Sequence, residues 1–167
     1  MKVNAALDGE RFATQSNGGD WIISWHASID PPTGTPHGAS AICLTGDMGL
    51  VLISPDGKRW GLPGGRPEGS ESGEETMRRE VMEEACATVH TARLTGFMRG
   101  ECISGPEEGL VLIRSQWVAD VDLQQWAPQY EIPHRRVVPA SQWREHIWIE
   151  DGWLAFVTRA FSEANIA

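Results

Sequence analysis

At 167 residues, 41% of them hydrophobic and 22% charged, the chain has the size of one compact unit, since a domain typically takes about 100–200 residues. Its 23 acidic residues against 14 basic ones leave a net charge of -9, which argues against nonspecific attraction to nucleic acid or to an anionic membrane and means that a phosphate-bearing partner needs a cation. Cys43, Cys86 and Cys102 cannot all pair and lack metal-ligand spacing, so they read as reduced thiols of a cytoplasmic protein; the first residues lack the apolar core of a signal peptide, and no run approaches the ~18–20 apolar residues of a membrane span.

Residues 1–40 are polar except for Trp21-Ile22-Ile23-Ser24-Trp25, after which the proline and glycine cluster at 30–36 reads as a loop. Ala39 to Leu44 and Leu50 to Ser54 are short apolar runs around Thr45-Gly46-Asp47, the pattern of two strands joined by a tight turn. Gly61-Leu62-Pro63-Gly64-Gly65 is too rich in permissive residues for regular structure. From Ser72 to Cys86 the period becomes helical, with Met77, Val81 and Ala85 on one stripe. Strands are expected at Arg93 to Arg99, Leu110 to Val121 and Val137 to Pro139, and short helical turns between Ala140 and Ile147. The segment Asp151 to Glu163 reads as a helix, with Leu154, Val157 and Phe161 on one side and Asp151 able to cap its start.

Glu80, Glu83 and Glu84 stand at i, i+3 and i+4, which puts three carboxylates on one face of the helix within a turn. Like charges so placed repel, by a few tenths of a kcal/mol per pair on an exposed helix and more where water is excluded. A divalent cation reverses the sign of that term, and Mg2+ or Mn2+ takes hard oxygen ligands of this kind. The preceding glycine-rich loop can bring further backbone oxygens to the same ion.

From Gly65 onward the residues resemble the signature of a known family. Gly65 is followed after five residues by Glu71 and after seven more by Arg79-Glu80-Val81-Met82-Glu83-Glu84. This is similar to the Nudix box, Gly-x5-Glu-x7-Arg-Glu-U-x-Glu-Glu-x-Gly-U with U aliphatic, and Trp60-Gly61-Leu62-Pro63-Gly64 resembles what precedes the box in relatives. The pattern departs at its end, where Cys86 holds the usual glycine slot and Ala87 the aliphatic one. Glycine there ends the helix in a left-handed conformation, so Cys86 either strains into that region or lets the helix run on.

The resemblance implies an α/β Nudix fold, a mixed β-sheet sandwiched between α-helices, in a single domain over 1–167 whose residues 1–38 are a family-variable N-terminal extension. It implies metal ligation by Glu80, Glu83, Glu84 and the carbonyl of Gly64, with Mg2+ as cofactor and Mn2+ as its substitute. Gly65 opens the box, Glu71 and Arg79 form an ion pair tying the loop to the helix, and Arg66 stands where relatives can carry a cation for the leaving phosphate. Relatives often add a later carboxylate as ligand or base. Glu131, before Ile132 and Val137-Val138-Pro139, is the choice here, with Glu107 and Glu108 as competitors; Glu83 or Glu131 accepts the proton of the attacking water.

The implied activity is Mg2+-dependent hydrolysis of a pyrophosphate linkage in a nucleoside diphosphate derivative or nucleoside triphosphate. The proline that marks relatives acting on ADP-ribose is absent around Glu101-Cys102-Ile103-Ser104, the tyrosine that marks dinucleoside polyphosphate hydrolases is not matched by the sole tyrosine, Tyr130, and no coenzyme A signature precedes the box. Trp21, Trp25, Trp117 and Trp126 are candidates for stacking on a base, and the histidines are scattered without ligand spacing. The rival reading is a noncatalytic nucleotide-sensing module, which has no need to retain the metal face; a diphosphate isomerase is disfavoured by the short chain and the lack of an evident catalytic cysteine loop. Symmetric pairing as a homodimer would use the N-terminal segment as a candidate interface element.

Overall fold

The computed structural model describes residues 3–128 and 131–167; Tyr130 lies outside the described residues. In chain order its elements are β1 (Arg11–Ser16), β2 (Gly19–His26), β3 (Thr35–Leu44), β4 (Gly49–Ser54), β5 (Gly64–Gly65), α1 (Gly73–Ala85), β6 (Ala87–Ser104), β7 (Val111–Leu123), β8 (His134–Pro139), a 3-10 turn (Ala140–Gln142), α2 (Trp143–His146) and α3 (Leu154–Glu163). The strands form one mixed sheet in the order β1-β2-β6-β7-β3-β4-β8, with β5 added beside β3. β3 and β7 run parallel and the other pairs antiparallel.

Two apolar layers follow from the alternation of side chains along the central strands. On one face Ala39, Ala41, Val51 and Ile53 meet Met77, Val81 and Ala85 of α1. On the other, Ile42, Leu44, Leu50 and Leu52 meet Phe156, Ala160 and Phe161 of α3. β4 is buried along its whole length, which is why Leu50 to Ile53 reads as an unbroken apolar run and not as an alternation. Met77 and Val81 are fully buried, each contributing about 1.5–3 kcal/mol relative to exposure. The sandwich of helices around a mixed sheet is thus present.

Several elements differ from the sequence reading. The polar N-terminal stretch contains a hairpin: β1 pairs β2 antiparallel, and β2 pairs β6. β6 spans eighteen residues where only Arg93 to Arg99 was expected, because it serves both β2 and β7. Asp151 does not cap α3: Gly152, at φ 88, turns the chain first, and Trp153 takes the cap position without a side-chain bond. The inner face of α3 is carried by Phe156, Ala160 and Phe161, with Leu154 and Val157 only half-buried.

Candidate active site

Ser72 caps α1, its hydroxyl accepting the Glu75 N–H at 3.1 Å, so the helix starts where the glycine-rich loop ends. The other end settles the question posed by Cys86. It adopts the left-handed conformation, φ 48 and ψ 52, and its N–H reaches the Met82 carbonyl. The last turn of α1 contains no basic residue, and Arg135 supplies the cation from β8. Its Nη1 donates to the carbonyls of Ala85, Cys86 and Gln124 at 2.9, 3.1 and 3.0 Å, while its guanidinium lies 5.0 Å from the Trp126 ring.

The loop is drawn against both sheet and helix. β5 pairs β3 through Ala39↔Gly65 and Ser40↔Gly64, and the Gly64 N–H donates to Glu84 Oε1 at 2.8 Å. A Cβ on Gly64 would come within 2.5 Å of the Ala39 carbonyl oxygen, and one on Gly65 within 2.2 Å of Glu80 Oε1. Gly64 needs glycine for close approach of backbone rather than for an unusual φ, whereas at Gly65 the close atoms belong to the end of the Glu80 side chain. Burial pushes the Glu84 carboxyl up to about 7, with the Gly64 N–H opposing the rise and the Glu80 charge adding to it.

Arg79 organises the remaining carboxylates. It meets Glu71 at two points, Nε to Oε2 at 2.9 Å and Nη2 to Oε1 at 3.0 Å. Its Nη1 reaches Glu80 and Glu83 at 3.1 Å each, and Nη2 also donates to the Arg66 carbonyl at 2.9 Å. The Arg79 bond holds the Glu71 carboxyl below its ordinary range. The structure therefore brings together Gly64, Gly65, Glu71, Arg79, Glu80, Glu83 and Glu84, with the Arg66 backbone. Glu131 is exposed before β8, and no hydrogen bond or ion pair among the described residues joins it to the cluster.

Among the described residues no three His, Cys, Asp or Glu side chains are gathered as a metal cluster; Arg79 and the Gly64 amide engage the glutamates. The donor set still fits Mg2+, which uses one or two carboxylates and completes its shell with water and substrate phosphates rather than with a protein cage. Glu80, Glu83, Glu84 and the Gly64 carbonyl are hard oxygen donors of that kind, and the seat of the Glu80 carboxylate is one that any Cβ on Gly65 would fill.

Beside this face lies a cavity of about 220 Å³ lined by Arg66, Arg114, His37, Trp21 and Trp153, among others. Arg114 and Trp153 escaped the sequence reading. An arginine directly after the apolar run Leu110 to Ile113 was the available signal for the first; nothing local marks the second. Burial, followed by the charges of Arg66 and Arg114, lowers the pKa of His37. Of the four tryptophans considered, Trp21 lines this cavity. Trp25 is sealed in the core against α3, Trp117 packs on the α1 side, and Trp126 lies under Arg135.

A model of the NUDIX domain matches residues 34–150. No curated protein matches the chain. Among solved structures, the Bacillus subtilis pyrophosphohydrolase BsRppH is similar with a TM-score of 0.64 at 19% identity, over 87% of this chain and 90% of that one. A NUDIX hydrolase from Nitrosomonas europaea has a TM-score of 0.59 at 19% identity over 78% and 89%. RenU, a Nudix hydrolase from M. smegmatis, has 0.56 at 20% over 85% and 94%. The fold and the glutamate-bearing loop and helix are those of a Nudix domain. The chain belongs to the Nudix family.

Proposed function

We propose that the chain is a Mg2+-dependent hydrolase that cleaves a pyrophosphate linkage in a nucleoside diphosphate derivative or nucleoside triphosphate. The observation that carries the reading is the packing of Glu80 on Gly65 and of Glu84 on the Gly64 N–H, which aims the acidic turn of α1 at the glycine loop. The named pyrophosphohydrolase BsRppH, of similar fold, points the same way.

Glu80, Glu83, Glu84 and the Gly64 carbonyl would hold the cation. When bound, it neutralises phosphate charge and acidifies water. The protein's own part is positioning and charge. Arg79 holds Glu80 and Glu83 in register with the loop through Glu71. Arg66 and Arg114 line the cavity and would meet the substrate's phosphate groups there. Glu83, next to Arg79, accepts the proton of the attacking water; Glu131 is the second candidate for that step. The buried free thiols support a cytoplasmic setting, and no described helix is long and apolar enough to cross a membrane.

A hydrolysis screen with Mg2+ over nucleoside triphosphates, nucleotide sugars, dinucleotides and capped RNA tests the reading. Release of phosphate or nucleoside monophosphate is expected, falling about 10²–10⁴-fold in Glu83→Gln. Binding of nucleotides without release of either product supports the sensing module instead.

A further inference from the structure

We propose that the β1–β2 hairpin, which lies wholly outside the residues matched by the family model, builds with Trp153 a pocket for the single nucleoside of the substrate, so that the hairpin sets which pyrophosphate compound the enzyme selects. This rests on the hydrolase reading above and deepens it.

The pocket adjoins the acidic turn through two glycines. A Cβ on Gly38 would lie 2.6 Å from Arg114 Nη1 and 3.0 Å from the Gly65 carbonyl oxygen, and Gly65 is in turn packed on Glu80. Arg114, which lines the cavity, is therefore linked through Gly38 and Gly65 to the Glu80 carboxylate. The cavity carries cations: Arg66 and Arg114 line it, and among the described residues neither forms an ion pair. Two unpaired guanidiniums beside a carboxylate cluster suit the phosphate that links the reacting pyrophosphate to a sugar. His37, whose proton affinity burial and both arginines reduce while Glu107 opposes them, lines the same cavity.

The same cavity has an apolar part of its lining. Trp21, a largely buried residue fixed by its Nε1 bond to the Ser16 carbonyl at 3.1 Å, and Trp153 from the start of α3 supply indoles, and Ile23, Met98 and Leu112 add apolar wall. Polar groups complete it. Asn17, at the hairpin tip with φ 49, donates to Glu107 Oε2 at 3.3 Å, which joins the hairpin to the loop between β6 and β7. Guanidiniums, indoles and hydrogen-bonding side chains in one cavity are the groups that phosphate, the ring face and the polar ring edge of a nucleotide call for. A purely apolar group would leave the hydrogen-bonding side chains unused. The volume of about 220 Å³ is at the small end for a ligand site, which favours a single nucleoside over a dinucleoside.

The test uses the full chain. Calorimetry without any divalent ion measures binding of the nucleoside 5′-monophosphates, with ribose 5-phosphate and inorganic phosphate as base-free probes. The wild type is expected to bind at least one nucleoside monophosphate at least tenfold more tightly than ribose 5-phosphate. Thr14→Phe fills the space between hairpin and α3, where a Cβ on Gly152 would sit 3.7 Å from Thr14 Oγ1, and should bring that ratio close to one. With Mg2+, the ratio of kcat/KM for the best nucleoside triphosphate over inorganic tripolyphosphate should fall with it, at least tenfold. Should Thr14→Phe melt well below the wild type, Asn17→Gly keeps the positive φ of the tip, removes the bond to Glu107 and should lower the same binding ratio at least threefold. Equal binding of base-bearing and base-free phosphates by the wild type, or an unchanged ratio in a folded variant, overturns the pocket. Selective nucleotide binding with no hydrolysis of any substrate overturns the enzyme reading and leaves the pocket standing.

Discussion

Arg79 and Glu71 face each other as a fork on a fork, with Nε to Oε2 at 2.9 Å and Nη2 to Oε1 at 3.0 Å. Glu71 lies before α1 and Arg79 in its middle, so the pair fixes the glycine loop to the helix that carries the other glutamates. Lysine cannot make a two-point bond and reach Glu80 and Glu83 at once. Arg79→Lys should therefore lower cation affinity and turnover about 10–100-fold, the usual effect of removing a residue that orients metal ligands. Titration calorimetry and steady-state kinetics check this together.

The same pair gives a pH signature. The Arg79 hydrogen bond, with the Glu68 N–H, depresses the Glu71 carboxyl below its ordinary value of 4.5. A carboxyl with a depressed folded-state value stabilises the protein above the unfolded value, and that contribution is lost as pH falls through the folded one. The melting temperature of the wild type should fall as pH is lowered below about 4.5, and Glu71→Gln should fall less over that window. Parallel acid limbs for the two proteins would remove Glu71 from the cause.

Gly64 and Gly65 should respond differently to alanine. A Cβ on Gly64 meets the backbone oxygen of Ala39, which cannot move without disturbing β3, whereas one on Gly65 meets the free end of the Glu80 side chain. Gly64→Ala is expected to cost about 1–3 kcal/mol of stability, the usual range for overpacking. Gly65→Ala should melt close to the wild type and lose cation affinity instead, about tenfold or more through the displaced Glu80. Chemical denaturation beside calorimetry separates the two effects.

At the far end of α1, Cys86 holds a left-handed conformation that costs a side-chain-bearing residue roughly 1–2 kcal/mol. Comparing Cys86→Gly with Cys86→Ala isolates the backbone term, because both lose the thiol. The glycine variant should be the more stable by about 1 kcal/mol. Arg135→Met, which removes the guanidinium from the Ala85 and Cys86 carbonyls, should cost about 1–2 kcal/mol. Equal stability of the two Cys86 variants would show that the strain is relieved elsewhere.

What the amino-acid sequence displays, and what it hides, divides by range. The helix around Met77, Val81 and Ala85 and the acidic turn at Glu80, Glu83 and Glu84 are local patterns, and the apolar runs of β3 and β4 are bounded by a clear turn; all are visible along the chain. Arg114 reaches the site only because β7 runs parallel to β3 and sets it beside Gly38, a register that local spacing does not carry. Trp153 arrives from α3, and the misread cap at Asp151 comes from one glycine turn at Gly152. β1 is a largely exposed edge strand, so it lacks the apolar alternation by which strands are recognised.

The most direct measurement is calorimetric uptake of Mg2+ by the full chain in the presence of a nonhydrolysable pyrophosphate analogue, for the wild type and for Glu83→Gln with Glu84→Gln. Saturable uptake by the wild type, weakened about tenfold or more in the double variant, is the expected result. No uptake, or equal uptake by both proteins, would contradict the assignment of the acidic turn as the cation seat.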